Sequence, residues 1–463
     1  MKEQSNKKIL IIAILSFVLI AVLIAGLFGN IGKSISVSSG VIVYDADGDK
    51  IASLKLENKE IETILINEDA EEYVALVVNE ALEKFGELTE AKDIQSEFFD
   101  KVTSINTNLR PEILKKIKNG YKNSTIQEDA SFASVITDLG GKVLAVYGNG
   151  SEPDVVYSDY KTYAGSAIKP LSVYAPAIQS GKAHWSTMTL DSPIKKVIND
   201  AGREVDWPTN ANGGYTEKDM LLCDALHKSI NTVAVKILRD ISVEKSIDFL
   251  DSNFNIDLEY EKKLVKTKGS DEVLGNIALG YLYNGVSALD MAGYYQIFAN
   301  GGYYTEPYTV ALIEDADGVI YTAEPESKRV LAPHTASIMT QLLRGVVYPG
   351  ATASEAFLDD VEVAGKSGTS DSYEDNWFVG YTPEFICSVW HSGDSDRKNK
   401  ASSTFALIMD EMPVKAERFD VEGNVTVKFY CRKTGLIRGE KCTDVSSGYY
   451  SSANIPKICR ECQ

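Results

Sequence analysis

The chain has 463 residues, a formal net charge of −19, and an ordinary globular composition of 44% hydrophobic and 24% charged residues. This length can form one large domain with smaller attachments, and the composition argues against disorder along the whole chain. The negative charge argues against a nucleic-acid-binding protein, because a phosphate backbone repels such a surface.

An apolar segment lies near the amino terminus. Residues 9–28 carry no charge, and Lys2, Lys7 and Lys8 precede them. A run of this length spans a bilayer as a helix, and lysines before it keep that end inside the cell. We therefore predict a cytoplasmic tail at 1–8, a single-pass transmembrane anchor in the cell membrane at 9–29, and an extracytoplasmic remainder. A cleaved signal peptide is the alternative, but the run is long for one and no clear cleavage site follows.

The region 30–130 is predicted to be a small juxtamembrane region without a recognisable chemical site. Residues 41–56 predict a hairpin around an acidic turn, whose glycine comes too early for a calcium-binding loop. Residues 70–85 have a helical pattern that we expect to stop at Gly86. Residues 110–119 predict a second helix, with Pro111 in its first turn.

From residue 131 onward the pattern changes. Apolar runs at 132–138 and 143–147 flank Gly140 and Gly141 and predict two strands joined by a tight turn. Later strands and helices mix without a regular βαβ rhythm, which predicts an α+β domain, placed at 131–413. Residues 278–302 have helical spacing closed by Gly301 and Gly302, whereas 376–389 and 404–408 resemble strands.

A first candidate catalytic motif is Ser166-x-x-Lys169, at the start of an apolar helical pattern that we expect to stop near Gly181. Two residues three apart share a helix face. A lysine amine kept neutral by burial or by a neighbouring cation can take the proton of a serine nucleophile. In isolation the pair is more often a helix cap and a solvated lysine.

Two further motifs complete a candidate site. Ser229-x-Asn231 lies in a segment that predicts an amphipathic helix opening at His227, where Ser229 could relay a proton and Asn231 could bind a substrate amide. Lys366-Ser367-Gly368-Thr369 predicts a strand whose cation and hydroxyls could bind a carboxylate, with Gly368 allowing close approach to the backbone. Taken singly, the first is a helix cap and the second a polar strand end.

Six cysteines occur, of which Cys223 and Cys387 are expected to be buried thiols. The other four lie in a cysteine-containing extension at 414–463: Cys431, Cys442, Cys459 and Cys462. Outside the membrane, disulfide pairing is the expectation, with the pairing left open. A zinc site is the alternative, because Cys459-x-x-Cys462 has ligand spacing whereas the gap between Cys431 and Cys442 does not.

In their order and chemistry, these three motifs resemble the active site of the penicillin-recognising serine acyl-transferases. Flanking stretches at 279–291, 298–302 and 376–381 resemble the transpeptidase domain of class A penicillin-binding proteins. The resemblance covers about residues 131–412 and implies an antiparallel sheet flanked by helices. Ser367 stands where many relatives have threonine, but the hydroxyl is kept. The roughly one hundred residues between the predicted anchor and residue 131 are expected to lack a glycosyltransferase domain, because such a domain needs a larger core.

The resemblance also implies a mechanism. Lys366, Ser367 and Thr369 would hold the carboxylate of a peptidoglycan stem peptide, Lys169 would activate Ser166, and Ser229 would pass the proton to the leaving D-Ala. No metal or organic cofactor is required. β-Lactams would acylate Ser166, and a separate glycosyltransferase would supply glycan strands. A D,D-carboxypeptidase, a β-lactamase and a non-catalytic sensor of wall peptides are the alternatives; no acidic residue near Glu272 has the spacing of a deacylating glutamate.

Overall fold

The structure is a computed structural model that describes residues 40–126, 129–152, 155–199, 201–370, 374–393, 400–415 and 418–462. The predicted cytoplasmic tail and the anchor at 9–29 lie outside these residues. Within the described ranges, no helix is long and apolar enough to cross a membrane.

The strands are numbered in chain order. Those before the Ser166 motif are β1 (Val41–Tyr44), β2 (Lys50–Glu57), β3 (Glu60–Leu65), β4 (Val102–Thr107), β5 (Phe132–Asp138) and β6 (Val143–Asn149). Those between the Ser166 and Lys366 motifs are β7 (Met188–Leu190), β8 (Lys195–Ile198), β9 (Glu204–Trp207), β10 (Asp219–Leu221), β11 (Tyr303–Thr305), β12 (Val310–Asp315), β13 (Val319–Thr322) and β14 (Ser327–Arg329). The last are β15 (Ala364–Thr369), β16 (Asp375–Tyr381), β17 (Phe385–Ser392), β18 (Val425–Cys431) and β19 (Val445–Ser451).

The α-helices are numbered in the same way. The first seven are α1 (Glu71–Leu88), α2 (Ile94–Lys101), α3 (Pro111–Asn123), α4 (Ala175–Gln179), α5 (Leu222–His227), α6 (Asn231–Ile241) and α7 (Val243–Asn253). The remainder are α8 (Glu259–Lys268), α9 (Leu274–Leu279), α10 (Ala288–Tyr294), α11 (Gln296–Ala299), α12 (Pro333–Arg344) and α13 (Ala401–Met409).

A first sheet contains strands from two distant parts of the chain. Among the described residues its order is β13-β12-β4-β1-β2-β3, with β1 and β4 parallel and the other pairs antiparallel. The predicted 41–56 hairpin is therefore confirmed, and residues 310–322 join the sheet formed by residues 41–107. Tyr73 of α1 is fully buried and donates a hydrogen bond to the carbonyl of Val143 in β6, at 2.8 Å. This contact ties helix α1 to the second sheet.

The second sheet carries the candidate site. Its order in the described residues is β15-β16-β17-β5-β6, and each pair is antiparallel, which confirms the strands predicted at 132–147 and 376–389. The sheet is covered on one face by α13, whose Phe405 packs edge-on against Phe378 with ring centroids 4.8 Å apart. Strand β15 is an edge strand of this sheet among the described residues, with β16 as its strand partner.

Four local predictions were wrong or incomplete. Helix α1 continues through Gly86 to Leu88, because the glycine lies against Ile94 of α2 instead of turning the chain. Residues 404–408 belong to α13, since so short an apolar run does not distinguish a buried helix from a strand. The helical stretch predicted at 278–302 consists of the end of α9, then α10 and α11, and Gly280 and Gly285 adopt positive φ between α9 and α10. The helix at Pro111 extends to Asn123.

The cysteines differ from the disulfide expectation. All six are free thiols, and Cys223 and Cys387 are buried as predicted. Four of them instead bring their sulfurs together beside the β18–β19 hairpin: Cys431, Cys442, Cys459 and Cys462. The expected disulfides are therefore not formed among the described residues, and the convergence of the four thiols requires another explanation.

Candidate active site

Ser166 and Lys169 lie on a segment that is not a regular α-helix. Residues Gly165–Ile168 form a 3₁₀ turn, Pro170–Tyr174 form a wider π turn, and α4 follows. Pro170 lacks the N–H that would bond back toward Ser166, which explains why the hydrogen-bonding pattern changes there. In 3₁₀ geometry residues three apart eclipse, so Ser166 and Lys169 still share a face. The segment ends at Gln179, close to Gly181 as predicted.

The backbone before Ser166 touches β15 directly. Gly165 has φ +53°, and a Cβ on it would lie 2.5 Å from the carbonyl oxygen and 2.8 Å from the nitrogen of Thr369. A Cβ on Gly368 would lie 2.2 Å from the oxygen of Ala164. Both positions therefore require glycine. This contact brings the Ser166 segment beside the end of the Lys366–Thr369 strand.

Two further hydrogen bonds fix this segment. Tyr295 donates its hydroxyl hydrogen to the carbonyl of Ala167 at 2.6 Å, and the indole N–H of Trp377 donates to the carbonyl of Tyr163 at 2.9 Å. Both aromatic side chains are buried. The nucleophile candidate is thus carried on backbone that is held from two directions by the core.

Ser229 lies between two helices, which corrects the prediction of one helix opening at His227. Helix α5 ends at His227, Ser229 has φ +56°, and α6 begins at Asn231. Left-handed backbone is uncommon for a residue other than glycine and is concentrated at functional sites. The tight link places the Ser229 hydroxyl between the two site lysines.

Ser229 joins the two lysines through one hydroxyl. Lys366 Nζ donates to Ser229 Oγ at 3.0 Å, and Lys169 Nζ lies 3.4 Å from the same oxygen. Lys169 Nζ also donates to the Ser229 carbonyl at 2.9 Å and to Asn231 Oδ1 at 2.6 Å. The three motifs predicted from the sequence therefore meet in one place.

Burial sets the charge state of both lysines. Each side chain is fully buried. Burial, and after it the charge of Lys366, lowers the pKa of Lys169 well below the ordinary lysine value. Burial lowers the pKa of Lys366 to about 7. The pocket therefore favours a neutral amine at Lys169, which is the form that can accept a proton.

Ser166 is half-buried, and its hydroxyl is not hydrogen-bonded to Lys169. Among the described residues, the hydrogen bonds of Lys169 reach Ser229 and Asn231. A neutral Lys169 has two N–H donors, which suit the Ser229 carbonyl and Asn231 Oδ1, and one lone pair, which lies near the Ser229 hydroxyl at 3.4 Å. The proton transfer to Lys169 thus requires one of these contacts to be released.

The β15 motif presents hydroxyls of different exposure. Lys366 lies at the floor of the site, Gly368 is buried, Ser367 is half-buried and Thr369 is exposed. Ser367 donates its hydroxyl hydrogen to Thr352 Oγ1 at 3.2 Å. A carboxylate approaching β15 would therefore meet two hydroxyls in front of a buried cation.

Sequence reasoning missed three polar residues that support the site. Thr352 contacts Ser367, and Asn210 Oδ1 accepts the backbone N–H groups of Asn231 and Thr232, at 3.0 and 3.3 Å. Asp191 Oδ1 accepts from Asn210 at 2.8 Å. Burial alone would raise the pKa of Asp191, but hydrogen bonds led by that from Thr232 outweigh it and lower the pKa. The sequence carried no motif for these residues, since each acts through a distant segment.

The comparisons with known proteins agree with this geometry. The family model of the penicillin-binding protein transpeptidase domain matches residues 131–410. Penicillin-binding protein 1A of Clostridium acetobutylicum is 30% identical over 376 residues, covering 76% of this chain and 43% of that protein. Penicillin-binding protein 1F of Bacillus subtilis is 32% identical over 346 residues, covering 72% and 45%. The chain thus spans less than half the length of these curated relatives.

Solved structures show the same fold. The D,D-transpeptidase domain of a peptidoglycan glycosyltransferase from Eggerthella lenta aligns with a TM-score of 0.60 at 18% identity, covering 80% of this chain and 97% of that one. Penicillin-binding protein A from M. tuberculosis, as an imipenem acyl-enzyme complex, aligns with a TM-score of 0.61 at 16% identity, covering 80% and 98%. The family match over residues 131–410 is decisive, and the chain belongs to the penicillin-binding protein transpeptidase family.

Proposed function

We propose that this protein is a membrane-anchored D,D-transpeptidase that cross-links peptidoglycan stem peptides through an acyl-enzyme at Ser166. The observation that carries the proposal is the burial of Lys169 beside Lys366, with the Ser229 hydroxyl within reach of both amines. Burying two amines side by side is unfavourable for folding, so their presence in this pocket argues for a catalytic role and against a purely structural one.

Substrate binding begins at β15. The carboxylate of a stem peptide ending in D-Ala-D-Ala is held by Lys366, Ser367 and Thr369, with the backbone at Gly368 close to the ligand. Asn231 orients the peptide. The negative charge of the carboxylate favours the protonated form of Lys366. The positive charge of Lys366 in turn keeps Lys169 neutral.

Acylation follows from the neutral amine of Lys169. Two N–H groups donate to the Ser229 carbonyl and to Asn231, and the lone pair accepts the proton of Ser166, whose oxygen attacks the penultimate carbonyl. The backbone N–H groups of Ser166 and Thr369 stabilise the developing oxyanion, each contributing about 3 kcal/mol. Ser229 passes the proton to the leaving D-Ala, and the amine of a second stem peptide then attacks the acyl-enzyme.

The cellular setting is part of the same proposal. The segment 9–29 anchors the chain in the cytoplasmic membrane with the catalytic domain outside, and a separate glycosyltransferase supplies the glycan strands. β-Lactams, which carry a carboxylate and a strained amide, acylate Ser166. The anchor rests on the length of the apolar segment and the lysines before it.

The test uses the full chain in detergent. After incubation with penicillin, peptide mass spectrometry should find a covalent adduct on Ser166, and the S166A variant should carry none. Incubation with a stem pentapeptide and an acceptor amine should then give the cross-linked product. Release of D-Ala with hydrolysis alone would identify a carboxypeptidase, and the absence of any adduct on the folded protein would identify a non-catalytic binding protein.

A further inference from the structure

The four cysteines of the carboxyl-terminal extension form a compact group of sulfur atoms. The Sγ atoms of Cys431, Cys442, Cys459 and Cys462 all lie within 4.8 Å of one another. Cys462 Sγ is 3.4 Å from Cys431 Sγ and 3.8 Å from Cys459 Sγ. Around a tetrahedral zinc ion with Zn–S bonds of about 2.3 Å, sulfurs lie about 3.8 Å apart. The cluster therefore has the size of a tetrathiolate metal site.

Backbone turns present these thiols. Cys431 ends β18, and the turn after it is closed by hydrogen bonds from the N–H groups of Thr434 and Gly435 to the Cys431 carbonyl, at 3.3 and 2.9 Å. The N–H of Cys459 donates to the Ile437 carbonyl at 2.7 Å, which brings the last segment beside the first. Two separated pieces of chain are thus held in register around one point.

Donors to sulfur surround the cluster. The N–H of Gly439 donates to Cys442 Sγ at 3.3 Å, and the hydroxyl of Thr434 donates to Cys459 Sγ at 3.4 Å. Such contacts favour thiolates over thiols and orient them toward a bound ion. Neither contact is needed by a disulfide.

The local charge suits thiolates as well. From residue 431 to residue 462 the sequence has six basic and three acidic side chains, a net charge of +3 in a chain of net charge −19. A divalent ion bound by four thiolates leaves an excess of negative charge, which nearby cations offset. The segment that carries the thiols is therefore more basic than the chain as a whole.

This part of the molecule has little apolar core of its own. Its separate buried cluster consists of Cys431, Cys442 and Cys459, with Leu436, Val445 and Cys462 packed around it. The β18–β19 hairpin packs on the main core through Tyr430 and Tyr450, so the segment around the thiols is the part without apolar contacts to that core, and a structural metal can hold such a segment. The family model ends at residue 410, before these four cysteines, so the cluster lies outside the matched domain.

We propose that the four thiols bind one zinc-class divalent cation in a closed tetrathiolate site that holds the carboxyl-terminal hairpin in its folded form. Binding releases the thiol protons to solvent and changes no oxidation state. All four positions are protein ligands, so the ion is structural and takes no part in acyl transfer. This site replaces the disulfides expected from the sequence.

The experiment measures metal on the full chain purified in detergent without chelator. Elemental analysis and native mass spectrometry should find one zinc per chain. The C442S and C459S variants should lose most of it, whereas C387A, which changes a buried thiol far from the cluster, should keep it. Because a serine variant could misfold, the wild-type protein is also stripped with a chelator and probed by limited proteolysis within 418–462.

The outcomes separate the explanations. Faster cleavage after stripping, reversed by added zinc, supports the site. A metal-free protein with two disulfides, seen as a mass lower by the thiol hydrogens, overturns it. Free thiols with no zinc uptake and unchanged cleavage also overturn it. Penicillin labelling of Ser166 is measured on the same samples and tests the proposed activity independently of the metal.

Discussion

The active-site pocket and the cysteine cluster both gather polar side chains from separate turns of the chain, but different forces hold them. Lys169 reaches Ser229 across 60 residues of sequence, and Lys366 reaches it across 137. Both lysines are fixed by a large core, which keeps two amines buried side by side. The four thiols come from one short segment with little core around them.

The difference shows what each arrangement depends on. In the pocket, the fold imposes an unfavourable grouping of like charges and uses it to keep one amine neutral. In the cluster, we propose that a bound ion makes the grouping of four thiols favourable. The pocket should therefore survive loss of its functional groups, whereas the hairpin should loosen when its ligands are lost.

The largest expected effect comes from K169A. Removing the base should lower the rate of penicillin acylation by about 10²–10⁴-fold. Zinc content and the cleavage pattern of the hairpin should stay unchanged, because the pocket is held by the surrounding core. The measurements are stopped-flow acylation with a fluorescent penicillin and a thermal unfolding curve.

K266A provides the matched control, since Lys266 is an exposed lysine on α8. It should acylate at the wild-type rate. K169M, which keeps the side-chain volume, guards against a cavity effect. Wild-type acylation in both Lys169 variants would mean that another group activates Ser166.

A pH series should give the next largest effect. Below the pKa of Lys169 the amine is charged and cannot accept a proton, so acylation should rise with pH through that lowered pKa. Lys366 loses its charge as pH rises through its pKa of about 7, so attraction for the substrate carboxylate should then fall. The second-order acylation rate should follow a bell-shaped curve, and each limb should approach a tenfold change per pH unit.

K366A sharpens this test. It should remove the falling limb, and it should move the rising limb to higher pH because the charge of Lys366 helps to lower the pKa of Lys169. The profile is measured as the acylation rate at low drug concentration, which reports the free enzyme. Superimposable pH profiles for the wild type and K366A would contradict the electrostatic coupling of the two amines.

Much of the active site could be predicted from the sequence because its parts are local. The β15 strand and the shared face of Ser166 and Lys169 depend on spacing of three residues or fewer. The link at Ser229 was not predicted: we expected a helix to open at His227, whereas His227 ends α5 and α6 begins at Asn231. The first N–H groups of α6 are bound by the side chain of Asn210, which lies about twenty residues earlier in the chain. Thr352 was missed for the same reason.

The expectation of disulfides rested on the spacing of the cysteines and on their predicted location. The gap from Cys431 to Cys442 is unlike a zinc knuckle, and the predicted extracytoplasmic location favours disulfides. What the sequence could not convey is that hydrogen bonds between Ile437 and the stretch at Lys457 and Cys459 bring the two ends of the segment together. The excess of basic side chains between residues 431 and 462 was a second signal, which the net charge of −19 for the whole chain concealed.

The smallest expected effect tests whether the two regions are independent. Arg432, next to Cys431, forms an ion pair at 2.8 Å with Asp224 of α5, the helix that leads to Ser229. The two side chains are 37% and 28% exposed, so screening by solvent limits the contribution of the pair to about 0.2–1 kcal/mol. We expect R432A to lower the unfolding temperature slightly while leaving acylation and zinc content unchanged.

D224N serves as the partner variant, and a double-mutant cycle isolates the coupling of the two side chains. If the cycle gives a small coupling energy and acylation is unchanged, the hairpin is an independent attachment on a self-sufficient catalytic core. If R432A instead slows acylation severalfold, α5 transmits the state of the hairpin to Ser229. The pocket and the hairpin would then form one coupled unit, because the left-handed link at Ser229 would depend on both the core and the hairpin.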